Sequence, residues 1–238
     1  MKATSRYGRR THGATRLALA VSCVFDTCRA VDVYSTPAEE HTEERMSEAI
    51  KSIVAESLAV KRRYFDEHSG EVEGAARLIA SAFASGRKLL ICGNGGSAAD
   101  AQHVAGEFVN QFLARGRRAL PALALTTDGG VLTCVANDTG FERVFARQVE
   151  AFGGEGDVLL AITTSGNSPN VVAAAEVARE RGMKVVGLLG RDGGRVRPLC
   201  DLALVVPADD TQRVQETHNL IGHVLCHLIE NILFPAGE

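Results

Sequence analysis

From Met46 to about His68 the apolar residues Met46, Ile50, Ile53, Val54, Leu58 and Phe65 recur at helical spacing, with the small Ser57 beside them and charges at most other positions. This predicts an amphipathic helix. A second helix is predicted from Glu71 to about Ala84, stopped by Ser85-Gly86, since glycine tolerates the backbone that ends a helix. Both precede the first strand-like run, so neither is a βαβ crossover, and a helical hairpin in that place is suited to dock on another subunit.

The pattern then changes period. Leu89–Cys92, Pro121–Leu125, Asp157–Ile162, Lys184–Leu189 and Leu202–Val206 are short, nearly continuous apolar runs, as expected of strands buried on both faces of a parallel sheet. Helices are predicted between them: from Ala98 with Ser97 as N-cap, after Asp128 to about Ala136, over Phe141–Phe152, and from Pro169. A last one runs from Thr211 to about Leu233 and carries Gln215, His218, His223 and His227. Asn137-Asp138-Thr139-Gly140 is expected to be a turn. Strand alternating with helix gives an α/β fold: a three-layer α/β/α sandwich on a five-stranded parallel sheet, plus the N-terminal helical hairpin. Ligand loops are expected at the C-terminal ends of the strands.

With 238 residues, 45% of them hydrophobic, the chain has material for one generous domain, expected over residues 46–238. Residues 1–45 differ: a basic start (Lys2, Arg6, Arg9, Arg10, Arg16), an apolar run from Leu17 to Phe25, then a polar stretch from Ser35 to Glu44. The run is interrupted by serine and too short to span a bilayer. The segment is expected to be a disordered extension, or coding sequence upstream of a start at Met46. A net charge of −3, 5% aromatic residues and no tryptophan argue against nucleic acid as a partner. Six scattered cysteines without a CxxC read as reduced thiols and suggest a cytoplasmic setting with no membrane partner.

Two loops carry chemistry. Gly93-Asn94-Gly95-Gly96 follows the first strand and opens a helix, where free N–H groups and the helix dipole favour an anion or a sugar hydroxyl. The spacing is neither a dinucleotide fingerprint nor a P-loop. Thr163-Thr164-Ser165-Gly166-Asn167-Ser168-Pro169 follows the third strand and offers hydroxyls and N–H groups to a phosphate, without the lysine that serves a triphosphate. Together they suggest a phosphosugar. His103 and Glu107, spaced i, i+4, share one helix face.

GNGGSAADAQHVAGE, LTCVANDTGF, LLAITTSGNSPNV and RVQETHNLIGH resemble four motifs of bacterial phosphoheptose isomerases, a family with the flavodoxin-like sugar isomerase (SIS) fold, over about residues 46–234. The resemblance implies interconversion of sedoheptulose 7-phosphate and D-glycero-D-manno-heptose 7-phosphate, the entry to heptose synthesis for surface glycans such as lipopolysaccharide. It implies a homotetramer with sites between subunits and one Zn2+ per subunit. It places the phosphorylated seven-carbon sugar on Asn94, Gly95, Gly96, Glu107, Asn137, Asp138, Thr163, Thr164, Ser165, Ser168 and Gln215, and the metal on His103, Glu107, Gln215 and His223. Imidazole and carboxylate suit zinc, an amide less so. Gln215 and His223 lie about 12 Å apart along one helix, so they reach one ion only with both side chains extended, or from different subunits.

Aldose–ketose isomerisation through an enediolate needs a base and an acid, and Glu107 and His223 are expected to serve. A carboxylate held on zinc is a poorer base, which sets the two roles of Glu107 against each other. His218 and His227 are read as structural. Gln111 stands where the family commonly has arginine, and Gln212 where an acidic or small residue is frequent. The chief rival is a non-catalytic tetrameric SIS binding module such as a replication-initiator-associating protein. Such modules typically lack the equivalents of Glu107 and His223, which favours the enzyme.

Overall fold

The computed structural model describes residues 37–235. The chain divides into two units, Met1–Glu48 and Ala49–Glu238. In the first, the described residues 37–48 are helical, so helix reaches back beyond Met46 into the segment for which no order was expected. The rest of the expected extension lies outside the described residues.

In the second unit, helix α1 (Pro37–Ala84 in full) is broken at His68, whose φ of −127° and ψ of 17° are not helical. The two expected helices therefore meet at a kink with no loop between them. Beyond the kink, Val72, Ala75, Ala76, Ile79, Ala80 and Phe83 are buried, one stripe at i, i+3, i+4 spacing. Ahead of it, Ile50, Ile53, Val54 and Leu58 are at least half exposed.

Strands β1 (Leu89–Cys92), β2 (Ala122–Ala124), β3 (Val158–Thr163), β4 (Lys184–Gly190) and β5 (Leu202–Val206) alternate with helices α2 (Gly96–Val109), α3 (Gly129–Thr139), α4 (Ala146–Phe152) and α5 (Pro169–Glu180), and α6 (Thr211–Leu233) closes the chain. All strand pairs are parallel, in the order β2-β1-β3-β4-β5. β1 and β3 are buried at every position, as the apolar runs required. One core layer joins α1, α2 and α6 to one face of the sheet; the other packs α4 and α5 on the opposite face. This is the expected three-layer α/β/α fold.

The differences from expectation are local. Ser97 is not the N-cap of α2: Gly95, at φ 56°, takes that place, and Ser97 is buried in the first turn. Residues 137–139 form the last turn of α3 rather than a turn, and Gly140, at φ 100°, ends it; only glycine adopts that backbone without strain. The helix expected over Phe141–Phe152 is a 3-10 turn, Phe141–Arg143, followed by the short α4.

Candidate active site

Strand order reverses direction between β1 and β3, which opens a crevice at their C-terminal ends, the usual ligand position in an open α/β sheet. The two loops singled out in the sequence flank that crevice. They are tied together by a residue the motif reading passed over: the carboxamides of Asn94 and Asn170 exchange reciprocal hydrogen bonds of 2.8 Å. Asn170 is buried at the start of α5. Each amide spends one N–H and one lone pair on the other and keeps one of each, so Asn94 is held with a donor and an acceptor still to offer.

The hydroxyl loop is also preformed. Thr163 Oγ1 lies 3.0 Å from Ser168 Oγ and 3.5 Å from Ser165 Oγ, so three hydroxyls converge. Ser168 is the N-cap residue of α5, but its side chain makes no capping bond; its hydroxyl is turned toward Thr163. Gly166, at φ 67°, sits so close to the Gly193 carbonyl that a Cβ would collide with it, and Val196 N donates to Gly166 O at 3.0 Å. The Gly193-Gly194 turn therefore braces this loop from behind.

Helices α2 and α6 run side by side in parallel register. Gln215 lies over Gly96, where any Cβ would strike its carboxamide; Asn219 Nδ2 donates to Asp100 Oδ1 at 3.2 Å; and a Cβ on Gly222 would stand 2.9 Å from Val104 Cγ2. That close crossing brings His103 Nε2 to 2.8 Å from His223 Nε2, with Glu107 Oε1 3.7 Å from His103 Nε2. His103, Glu107 and His223 are thus gathered in one chain, whereas Gln215 lies at the other end of the register. A cavity of about 590 Å³, lined in part by Lys61, Gly96, Asp100, Gln215 and Asn219, opens at that end. Burial raises the pKa of Asp100, against the Asn219 hydrogen bond and the charges of His103 and His223. Asp100 Oδ2 is buried without a partner. Among single residues an aspartate in mid-helix gives no sequence signal of such a position.

Asn137 and Asp138 are not brought to the cradle by any bond they make. Asn137 Nδ2 donates to Asp138 Oδ1 at 2.9 Å, and Cys134 Sγ approaches Asp138 Oδ2. His218 is structural in its contacts: its Nε2–H donates to Leu189 O at 3.0 Å, and burial pushes its pKa down to about 4, against that hydrogen bond.

The donors suit zinc in kind: two imidazole nitrogens and a carboxylate. Among the described residues no three His, Cys, Asp or Glu side chains are drawn together closely enough to hold an ion. Two imidazole nitrogens on one zinc, each at about 2.0–2.1 Å, stand roughly 3.3 Å apart in a tetrahedron, so the 2.8 Å pair would open by about half an ångström to admit it.

A parallel sheet of this order with a glycine loop and a hydroxyl loop at its switch point is what a sugar isomerase (SIS) domain presents, and the SIS domain family model matches residues 53–190. Over 187 residues the chain is 56% identical to the phosphoheptose isomerase of Solidesulfovibrio magneticus, covering 79% of this chain and 91% of the relative. It is 50% identical over 193 residues to that of Geobacter sp., covering 81% of this chain and all of the relative. The solved phosphoheptose isomerase of Neisseria gonorrhoeae superposes with a TM-score of 0.74 at 42% identity, over 78% of this chain and 99% of that one. That of Francisella tularensis gives 0.76 at 39%, over 78% and 98%. The chain belongs to the phosphoheptose isomerase family.

Proposed function

We propose that this protein interconverts sedoheptulose 7-phosphate and D-glycero-D-manno-heptose 7-phosphate by proton transfer between C1 and C2. The observation that carries the reading is the gathering of His103, Glu107 and His223 in a chain whose crevice holds a ready phosphate cradle. Thr163, Thr164, Ser165 and Ser168 take the phosphate, through hydroxyls and the N-terminus of α5. Asn94, Gly95 and Gly96 meet the sugar hydroxyls, as do Asn137 and Asp138. Glu107 removes the C2 proton of the aldose, or the C1 proton of the ketose, and His223 supplies a proton to the developing oxyanion. The phosphate grip fixes the carbon chain so that the two carbons present their protons to one base.

Zinc belongs to the same proposal. His103, Glu107, His223 and Gln215 would hold it, and when bound it would polarise the substrate carbonyl. Its ligands favour an assembled site. Along α2, His103 and Glu107 stand about 10 and 16 Å beyond Gly96 at 1.5 Å per residue, and Gln215 lies toward the other end from His223. Cradle, base and amide ligand meet over one short sugar most simply when different subunits contribute them. The exposed apolar face of Ile50, Ile53, Val54 and Leu58 supports that reading, with a homotetramer as the assembly and the cytoplasm as its setting.

The test is isomerisation of sedoheptulose 7-phosphate by the purified full-length protein with zinc, beside Glu107→Gln and His223→Ala. Each substitution should lower turnover by roughly 10²–10⁴-fold with the fold intact. A folded wild type that binds the sugar phosphate without turning it over would overturn the enzyme reading and leave a binding module.

A further inference from the structure

The segment between α2 and β2 is wrapped around one buried carboxylate that the reaction above does not use. Glu230 is on the last turns of α6 and 2% exposed. It accepts from three successive backbone N–H groups, Phe112 N at 2.8 Å, Leu113 N at 2.7 Å and Ala114 N at 2.8 Å, and from Arg117 Nε at 2.5 Å. The Arg117 guanidinium, equally buried, donates in turn to the carbonyls of Glu107 at 2.7 Å and Phe108 at 3.0 Å. These are orphan acceptors at the end of α2, which a helix must satisfy from outside. Arg117 therefore caps the turn that carries Glu107.

The same clamp fixes a ring. With its own N–H held by Glu230, Phe112 lies against His223, ring centroids 5.7 Å apart and planes only 16° from parallel. His223 also meets the His103 ring, T-shaped, with centroids 4.9 Å apart and the two Nε2 atoms 2.8 Å apart. An imidazole stacked on a parallel ring and tied at Nε2 to a second, perpendicular one has little freedom about χ2, a torsion that is otherwise broad. Aromatic pairs of this kind hold geometry as well as area.

We infer that Glu230 and Arg117 are positioning residues for the isomerisation: they fold the 110–118 segment so that Phe112 stacks on His223 and sets its imidazole plane, while Arg117 fixes the turn bearing Glu107. Neither touches the sugar. The inference rests on the acid–base roles proposed above, and it assigns to Phe112 a ring that must be flat and aromatic rather than merely apolar.

The decisive comparison is Phe112→Leu with Phe112→Tyr in the full-length protein, carrying histidine labelled with 13C at ring carbons, the His223 signal being identified by its loss in His223→Asn. In the wild type the His223 ring protons should be shifted upfield by the Phe112 ring current. Tyr should keep that shift and Leu should lose it. With sedoheptulose 7-phosphate, Leu should lower kcat by about tenfold or more, since misaligned catalytic groups lose rate steeply, with KM changed less than twofold; Tyr should restore kcat. Glu230→Gln should resemble Leu in both readouts where it folds. Loss of the shift in Leu with kcat unchanged would overturn the inference, as would a wild-type signal that Leu does not move. A wild type with no isomerase activity would sink the activity reading instead, and the labelled spectra would still decide whether the clamp orients His223.

Discussion

Gly222 decides more than its size suggests. It lets α6 come so close to α2 that His223 and His103 face each other at 2.8 Å, and a Cβ there would press on Val104, a β-branched side chain with little freedom to yield. Gly222→Ala should therefore cost about 1–3 kcal/mol of stability as overpacking. It should also lower turnover by parting the two imidazoles; denaturant unfolding beside the isomerase assay checks both. Asn170 acts from the other side of the crevice. With its amide removed in Asn170→Ala, Asn94 loses both reciprocal bonds and should cost about 1–3 kcal/mol. The measured effect should be a raised KM more than a lowered kcat, because Asn94 is assigned to ground-state binding of the sugar.

Helix α6 concentrates the acid sensitivity of the molecule. Burial pushes the pKa of His218 from 6.5 down to about 4, although the Leu189 carbonyl opposes it. Below pH 6.5 the unfolded chain protonates this histidine while the native one does not, so stability falls as pH drops from about 6.5 to about 4, by roughly 3 kcal/mol at 1.36 kcal/mol per pKa unit. His218→Gln, which keeps a donor for Leu189, should flatten that limb in urea unfolding measured at steps between pH 7 and 4. Glu230 acts in a lower window. Burial alone would raise its pKa, but the Ala114, Phe112 and Leu113 N–H groups and Arg117 together hold it at about 2 against 4.5. Its contribution is complete above about pH 4.5 and is lost as pH falls toward 2. In Glu230→Gln that second limb should disappear, together with the stability it represents at neutral pH.

At the scale of the whole molecule, the question is what covers the first half of α1. Leu58 and Ile50 are each 62% exposed on a helix whose second half is buried in its own core. If this face joins subunits in the proposed tetramer, Leu58→Glu in the full-length protein should shift the mass measured by light scattering toward smaller species. It should abolish isomerisation in parallel, since the site as proposed draws on more than one subunit. Loss of the tetramer with full activity retained would separate assembly from catalysis.

The short apolar runs, read with the turn residues that bound them, placed all five strands and the closing helix; β1 and β3 are buried throughout as that reading expects, whereas the edge strands β2 and β5 are only partly buried. β1, β5 and α6 fall where the pattern put them. The glycine and hydroxyl loops were equally legible, since tight turns and N-termini restrict residue type. What the sequence by itself determined was therefore the layer architecture, the crevice and the chemical class of its ligand. Tertiary structure decided the contacts themselves: the Asn94–Asn170 exchange, the direct His103–His223 contact across Gly222, which the family motifs had implied only as a shared ligand set, and the Glu230 clamp that puts Phe112 on His223. Each joins residues from 76 to 120 positions apart, and no local pattern constrains such a pair, because its partners are fixed by how helices cross and loops close over a buried charge rather than by spacing along the chain.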